Sequence, residues 1–203
     1  MHSSLTAIVT SFERPDELEV CLGSLRNQRR SSDRHSKFDI EIIVTDNTVA
    51  YFVRKDIERV CNDMWCDYVY TNTTDCYTAA ERVIDDAKGD FLCFPSDDNY
   101  YVPEFAYRML KKADEGYDFV YCDMLYDPRP QYRDVYTVHS CSPKLCHIDK
   151  GGFIIRKSLF QSLGGFPGKP HNPRSEADGM LAELVVSSGA TVGYCKEVLF
   201  FHG

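Results

Sequence analysis

A chain of 203 residues, 43% hydrophobic and 27% charged, has enough apolar material for one full core, and two complete domains would be cramped. Its formal net charge of -8 excludes a nucleic-acid groove or an anionic membrane surface as partner unless a basic patch opposes the overall field. The densest basic cluster, Arg26 to Lys37, reads as a solvated Ser- and Arg-rich loop. The N-terminus lacks a signal peptide's charged and apolar regions and no run is long enough to span a bilayer, so a soluble, cytoplasmic protein is expected. Nine cysteines, an odd number scattered through predicted elements, fit reduced thiols better than a disulfide framework. His139, Cys141, Cys146 and His147 gather four possible zinc ligands, but a structural zinc site shows tighter pairing, and a loop with unpaired thiols is expected there.

Leu5 to Ser11 is short and β-branched and reads as a buried strand. Pro15 suits the first turn of a helix, where its missing N–H has no partner to lose. Leu18, Cys21, Leu22 and Leu25 then form one apolar stripe, with Asp16 and Glu17 at the start and Arg26 at the end complementing the dipole. Ile40 to Thr45 predicts a second strand ending at Asp46-Asn47. Tyr51 to Asn62 reads as helix and Tyr68 to Tyr70 as a short strand. Ala79, Ala80, Val83, Ile84 and Ala87 mark an amphipathic helix stopped by a left-handed Gly89.

The stretch Gly89-Asp90-Phe91-Leu92-Cys93-Phe94-Pro95-Ser96-Asp97-Asp98-Asn99 organises the rest. A buried strand, Phe91 to Phe94, ends in acid, and in parallel α/β sheets the carboxyl ends of strands are where ligands bind. Asp97 and Asp98 place hard oxygen ligands where a divalent cation can bridge protein and diphosphate. The same residues would also suit a plain turn.

Pro103 to Glu115 predicts a helix closed by Gly116, and Phe119 to Cys122 a strand ending at Asp123. Asp127 to Asp149 reads as a β-hairpin or excursion, alternating at Tyr132 to Val138. Strand Gly152 to Arg156, helix Ser158 to Leu163 before Gly164-Gly165, helix Asp178 to Ser188 closed by Gly189, and strands Thr191 to Tyr194 and Val198 to Phe201 complete the chain. Alternating strands and helices in the first half predict a parallel sheet.

Read together, Ile8-Val-Thr-Ser-Phe-Glu-Arg-Pro15 with Leu22-Gly-Ser-Leu-Arg-Asn-Gln28, Glu41-Ile-Ile-Val-Thr-Asp46, Gly89 to Asp98, and Gly151-Gly-Phe-Ile-Ile-Arg-Lys-Ser-Leu-Phe160 with Gly164-Gly-Phe166 resemble glycosyltransferase family 2. The resemblance spans nearly the whole chain in ordered segments. It implies an α/β, single GT-A-type domain: a mostly parallel central sheet flanked by helices, with a small additional β element. Residues 1–99 would form the nucleotide-binding half and 100–203 the acceptor-binding half. It also implies an inverting sugar transferase, with a nucleoside diphosphate sugar (UDP-sugar) as donor, Mn²⁺ or Mg²⁺, and a carbohydrate or glycolipid acceptor, as in polysaccharide biosynthesis.

On that resemblance Thr10, Phe12 and Glu13 match the loop against the nucleotide, and Asp46 the acid that contacts base or ribose. Counting back from Pro103, Ser96 stands where the family has the first Asp of Asp-x-Asp, and Asp98 where it has the second, the metal ligand. Ser96 can still hydrogen-bond a hydroxyl, and Asp97 supplies a second charge if the chain turns there. Ala79-Ala80-Glu81 replaces the family's Ala-Arg-Asn, with Arg82 one place removed. Glu176 is favoured as catalytic base, with Asp178 as the alternative in Ser175-Glu176-Ala177-Asp178. Gly151 and Gly152 would let backbone approach the donor sugar, and His202 would complete the metal shell. Two rival functions remain: a non-catalytic nucleotide-sugar sensor or partner subunit, and a sugar nucleotidyltransferase, which wants a Gly-rich basic loop that Thr10 to Pro15 does not provide.

Overall fold

The computed structural model describes residues 3–29, 38–126, 137–168 and 176–203. Strand β1 (Leu5–Ser11) is buried along its whole length because successive side chains enter different cores. Leu5, Ala7 and Val9 join one, and Ile8 joins the other, following the two-residue period of a strand. Helices α1 (Pro15–Arg26), α2 (Tyr51–Asp63) and α4 (Phe105–Ala113) fill the first core. Helices α3 (Cys76–Glu81), α5 (Lys157–Ser162) and α6 (Ala177–Ser187) fill the second. The predicted stripe of α1 becomes buried, and α4 buries Phe105, Ala106, Met109, Leu110 and Ala113.

Strands β3 (Asp67–Tyr70), β2 (Glu41–Asp46), β1 and β4 (Phe91–Cys93) lie side by side and parallel, as the alternation of elements predicts. The same sheet continues through β8 (Phe153–Arg156), β6 (Phe119–Tyr126), β9 (Val192–His202) and β5 (Tyr100–Tyr101). Here β8 is antiparallel to β4 and β6, while β6 and β9 are parallel. Strand β7 (Thr137–His139) pairs antiparallel with the end of β6, so the excursion read after Asp127 begins with a longer β6; residues 127–136 of that reading lie outside the described residues. The two strands predicted near the C-terminus are one. Lys196 and Glu197 bulge from the register with β6 between Cys195 and Val198, bending β9 without ending it.

Helix α3 departs from its prediction. Asp75 caps it by accepting from Thr78 N at 2.8 Å, so it starts at Cys76 and ends at Glu81. Val83, Ile84 and Ala87 are still buried, but from turns, which satisfy the same apolar spacing. Gly89 does not take a positive φ. A Cβ there would lie 2.5 Å from Thr6 N and 2.7 Å from Thr6 Oγ1, so close strand packing requires the glycine. Gly116 and Gly189 do take positive φ, 106° and 79°, just beyond α4 and α6. All nine cysteines are free thiols. Among the described residues no helix is long and apolar enough to cross a membrane.

Candidate active site

Because β1 to β4 are parallel, their carboxyl ends open on one edge, where a cavity of about 360 Å³ forms. Its wall takes Thr10, Ser11, Phe12 and Arg14 from the loop after β1, Asn47 from beyond β2, the Thr73–Tyr77 segment beyond β3, and Ser96 and Asp97 from beyond β4. Ser96 to Asn99 is a turn: Asn99 N donates to Ser96 O at 3.1 Å and Ser96 N to Asn99 Oδ1 at 3.0 Å. Asp97 and Asp98 therefore occupy its two central positions, and the chain does turn where a second charge required it.

The turn is tied to the loop after β1. Asp97 N donates to Thr10 O at 3.1 Å, and Asp97 Oδ2 accepts from Phe12 N at 2.9 Å. Arg14 closes the arrangement, with Nη2 at 2.7 Å from Asp97 Oδ1 and Nη1 at 2.5 Å from Asp98 Oδ2. Burial raises the pKa of Asp97, opposed by the Phe12 N–H and the Arg14 charge. Glu13, expected against the nucleotide, is exposed at φ 59°, and its N–H donates to Thr48 Oγ1. Its neighbour Arg14 takes the place in the wall.

Asp46 is fully buried and does not face the cavity. Its carboxylate accepts from Thr48 N and from Tyr68 O–H, both at 2.8 Å. Through Thr48 it holds the loop at Glu13, so its position supports the wall from behind. Gly151 and Gly152 are also buried, inside a 3₁₀ turn (Lys150–Gly152). A Cβ on Gly151 would lie 2.5 Å from Asn99 Oδ1 and 2.8 Å from Tyr101 Oη, and one on Gly152 would lie 2.7 Å from the Phe200 ring. The glycines thus make room for protein side chains. Gly151→Ala should destabilise the protein by about 1–3 kcal/mol; an unchanged thermal midpoint would show that the turn shifts freely.

A second cavity, about 340 Å³, opens beside the first, and Tyr77 lines both. Its acids are Asp149, Glu176 and Asp178. Asp178 sits in the first turn of α6, with Oδ1 accepting from Gly179 N at 2.8 Å and Oδ2 from Lys150 N at 3.2 Å. Burial, and then the charge of Asp149, raise its pKa to about 6. Glu176, the favoured base, is instead exposed just before the helix and accepts from Cys146 Sγ. His202 lies in this second wall, its Nδ1 3.6 Å from Asp149 Oδ2 and its ring stacked on Tyr126. Its Nδ1 also stands 3.5 Å from Nδ2 of Asn99, in the turn that carries Asp97 and Asp98, but among the described residues no three His, Cys, Asp or Glu side chains converge as a metal site. Cys141 is buried while Cys146 is exposed at φ 60°.

A family profile described as Glycosyl transferase family 2 matches residues 6–168. The chain belongs to glycosyl transferase family 2. Comparison with curated proteins finds no match. Among solved structures, this family member is similar to S. aureus TarS, at 15% identity over 98% of this chain and 60% of the other, with a TM-score of 0.71. TarS in complex with UDP-GlcNAc gives 16%, 98%, 58% and 0.72. The mannosyltransferase PcManGT from Pyrobaculum calidifontis, in complex with GDP-Man and Mn²⁺, gives 17%, 100%, 57% and 0.74. At such identities the likeness shows the fold, and it is the GT-A type that the family implies. The chain spans 57–60% of the length of these three structures.

Sequence reasoning missed several site residues of this family-2 chain. Lys150 is buried, and its ammonium donates to Thr10 Oγ1 at 2.8 Å and to the carbonyls of Phe94 and Pro95 at 3.3 and 3.4 Å. It links the floor of the first cavity to Asp178, to which its own backbone N–H donates. Nothing local marks such a lysine. The Thr73–Tyr77 wall did carry a signal: Asn72-Thr-Thr-Asp75 is cap and turn chemistry, placed after a strand parallel to β2. Arg82, one place from the family's arginine, is exposed and donates to Thr71 O.

Proposed function

We propose that this chain moves a sugar from a nucleoside diphosphate sugar, a uridine one, to an acceptor hydroxyl with inversion, assisted by Mn²⁺ or Mg²⁺. The observation that carries this reading is the pair of cavities meeting at Tyr77, with Asp97 lining one beside Asp98, which Arg14 ties to its wall, and a half-buried, pKa-raised Asp178 lining the other. The resemblance to TarS in complex with UDP-GlcNAc supports a uridine donor, and that to PcManGT with GDP-Man and Mn²⁺ supports a metal. The donor belongs in the first cavity and the acceptor in the second.

The residues present fit a divalent cation. Asp98 Oδ1 is buried and has no hydrogen-bond partner, leaving an anionic oxygen with free coordination capacity. Asp98, with Asp97 beside it, would hold the ion, and two carboxylates completed by substrate phosphates are the usual magnesium-type arrangement. When bound, the ion supplies Lewis-acid neutralisation of charge on the departing diphosphate. Asp178 takes the acceptor hydroxyl's proton while that oxygen attacks the anomeric carbon from the face opposite the diphosphate. The bond to the diphosphate breaks with its electron pair leaving on the nucleotide. Lys150 holds Thr10 and the 3₁₀ turn in place between the two cavities, and Asp46 steadies the loop after β1.

Ser96, standing where the family has an acid, favours a second reading as a non-catalytic nucleotide-sugar sensor. The two separate in one experiment. The protein is incubated with UDP-glucose, UDP-galactose, UDP-GlcNAc and GDP-mannose, with Mn²⁺ or EDTA and a panel of carbohydrate and glycolipid acceptors. A raised thermal midpoint with a uridine donor, metal-dependent nucleotide release and an inverted anomeric configuration by NMR are the expected results. Tight donor binding with neither transfer nor hydrolysis would leave the sensor.

A further inference from the structure

Arg14 stands at the N-cap of α1, yet no side chain caps that helix end. Ser, Thr, Asp and Asn are preferred at such a position because their side chains accept from the helix's free N–H groups, which a guanidinium cannot do. The Arg14 side chain turns instead into the first cavity's wall. There its fork spans both acids, Nη2 on Asp97 at 2.7 Å and Nη1 on Asp98 at 2.5 Å. Two neighbouring carboxylates repel each other unless a cation lies between them, and in this chain that cation is built in.

We propose that Arg14 is the resident counter-cation of the Asp97–Asp98 pair, which a divalent ion must displace, so that this chain takes up metal together with donor and not ahead of it. The inference rests on the donor and metal reading given above. An ion entering at the acids competes with the guanidinium for the same carboxylates. Arg14 is about half exposed, at 44% of its side chain, so each contact is worth little and can be exchanged. The arriving diphosphate neutralises the incoming ion and offers the released guanidinium an anionic partner inside the cavity that Arg14 already lines, in a planar, bidentate match. Metal and nucleotide then raise each other's affinity by the same factor, as linkage demands. Asp98 Oδ1, buried and without a hydrogen-bond partner, gains a partner when the fork opens and an ion takes its place.

The test is Mn²⁺ binding, read by electron paramagnetic resonance of free Mn²⁺, for wild type, Arg14→Gln and Arg14→Lys, each with and without UDP. Arg14→Gln should bind Mn²⁺ alone about tenfold more tightly than wild type, the sum of two weak ion pairs. Arg14→Lys, keeping the charge without the fork, should fall between them. UDP should tighten Mn²⁺ binding strongly in wild type and about tenfold less in Arg14→Gln. Thermal melting checks that the variants are folded, and Arg14→Lys carries the comparison if Arg14→Gln is not. Equal or weaker Mn²⁺ binding by the folded variants, or equal enhancement by UDP in all three proteins, overturns the proposal while leaving a metal-dependent transferase intact. Absence of Mn²⁺ binding in every protein, even with UDP, overturns the proposal and the metal assignment together. Calorimetric UDP binding in EDTA then decides separately whether the donor reading stands.

Discussion

Asp178→Asn should slow sugar transfer by roughly 10²- to 10⁴-fold, the usual contribution of a positioned base, and should at the same time make the protein more stable at neutral pH. Both effects come from one fact: burial and the charge of Asp149 raise the Asp178 pKa to about 6. A base must be unprotonated, so wild-type kcat/KM should fall as pH drops below about 6, by a factor of ten per pH unit. Stability moves the other way. The folded state holds this proton more tightly than the unfolded chain, so folding is unpenalised below the ordinary aspartate value of 3.8 and loses free energy as pH rises from 3.8 to about 6. That loss is on the order of 3 kcal/mol at neutral pH. The asparagine escapes it but accepts one backbone N–H fewer, at about 1 kcal/mol. The net gain of about 2 kcal/mol corresponds to a rise in thermal midpoint of roughly 4–8 °C. Glu176→Gln is the control. Glu176 is exposed, so neither stability nor the acid limb of the profile should move. Loss of turnover in Glu176→Gln with Asp178→Asn fully active would return the base to Glu176.

The choice between these two acids shows where sequence reading ran out. Counting along the chain brings Glu176 and Asp178 to the start of one helix, but which of them is drawn in from solvent depends on how α6 meets the 3₁₀ turn at Lys150. That contact joins residues 28 apart in the chain. The parallel half of the sheet was legible because each strand there has a local apolar run and each helix its own stripe. The mixed half was not. Whether β8 lies antiparallel between β4 and β6 is decided by long-range pairing, and nothing in Phe153–Arg156 alone records it. Glycines were read correctly where a helix must stop, at Gly116 and Gly189, since a positive φ is a local demand. They were misread at Gly89, where the demand comes from a strand distant in sequence, and at Gly151 and Gly152 close packing is demanded by side chains that the local sequence does not name. His202 illustrates the same limit: β9 delivers it to the site beside Asp149, Tyr126 and Asn99, contacts that no local pattern records.

Asp97→Ala and Asp98→Ala should separate two jobs that adjacent carboxylates would otherwise seem to share. Asp97 is 1% exposed, accepts the Phe12 N–H and pairs with Arg14. Its removal leaves a donor and a cation short of partners and should cost about 2 kcal/mol of stability, less than a fully buried pair because Arg14 reaches water. Asp98 keeps 19% of its side chain exposed and has Arg14 as its one ion-pair partner among the described residues, so its loss should change stability by less than about 1 kcal/mol. Activity reverses the order of interest. Losing the charge that would hold the cation removes stabilisation of the leaving diphosphate, so Asp98→Ala should lose transfer by on the order of 10²-fold or more while staying folded. Raising Mn²⁺ should not restore it, because the missing group is a ligand and not an affinity enhancer alone. Asp97→Ala should lose activity together with its fold's stability, through a loosened Phe12–Arg14 loop. Thermal melts alongside Mn²⁺ titrations of turnover distinguish the cases. An Asp98→Ala protein that keeps metal-dependent turnover, beside a folded Asp97→Ala protein that has none, would make Asp97 the cation's principal ligand and reverse the assignment.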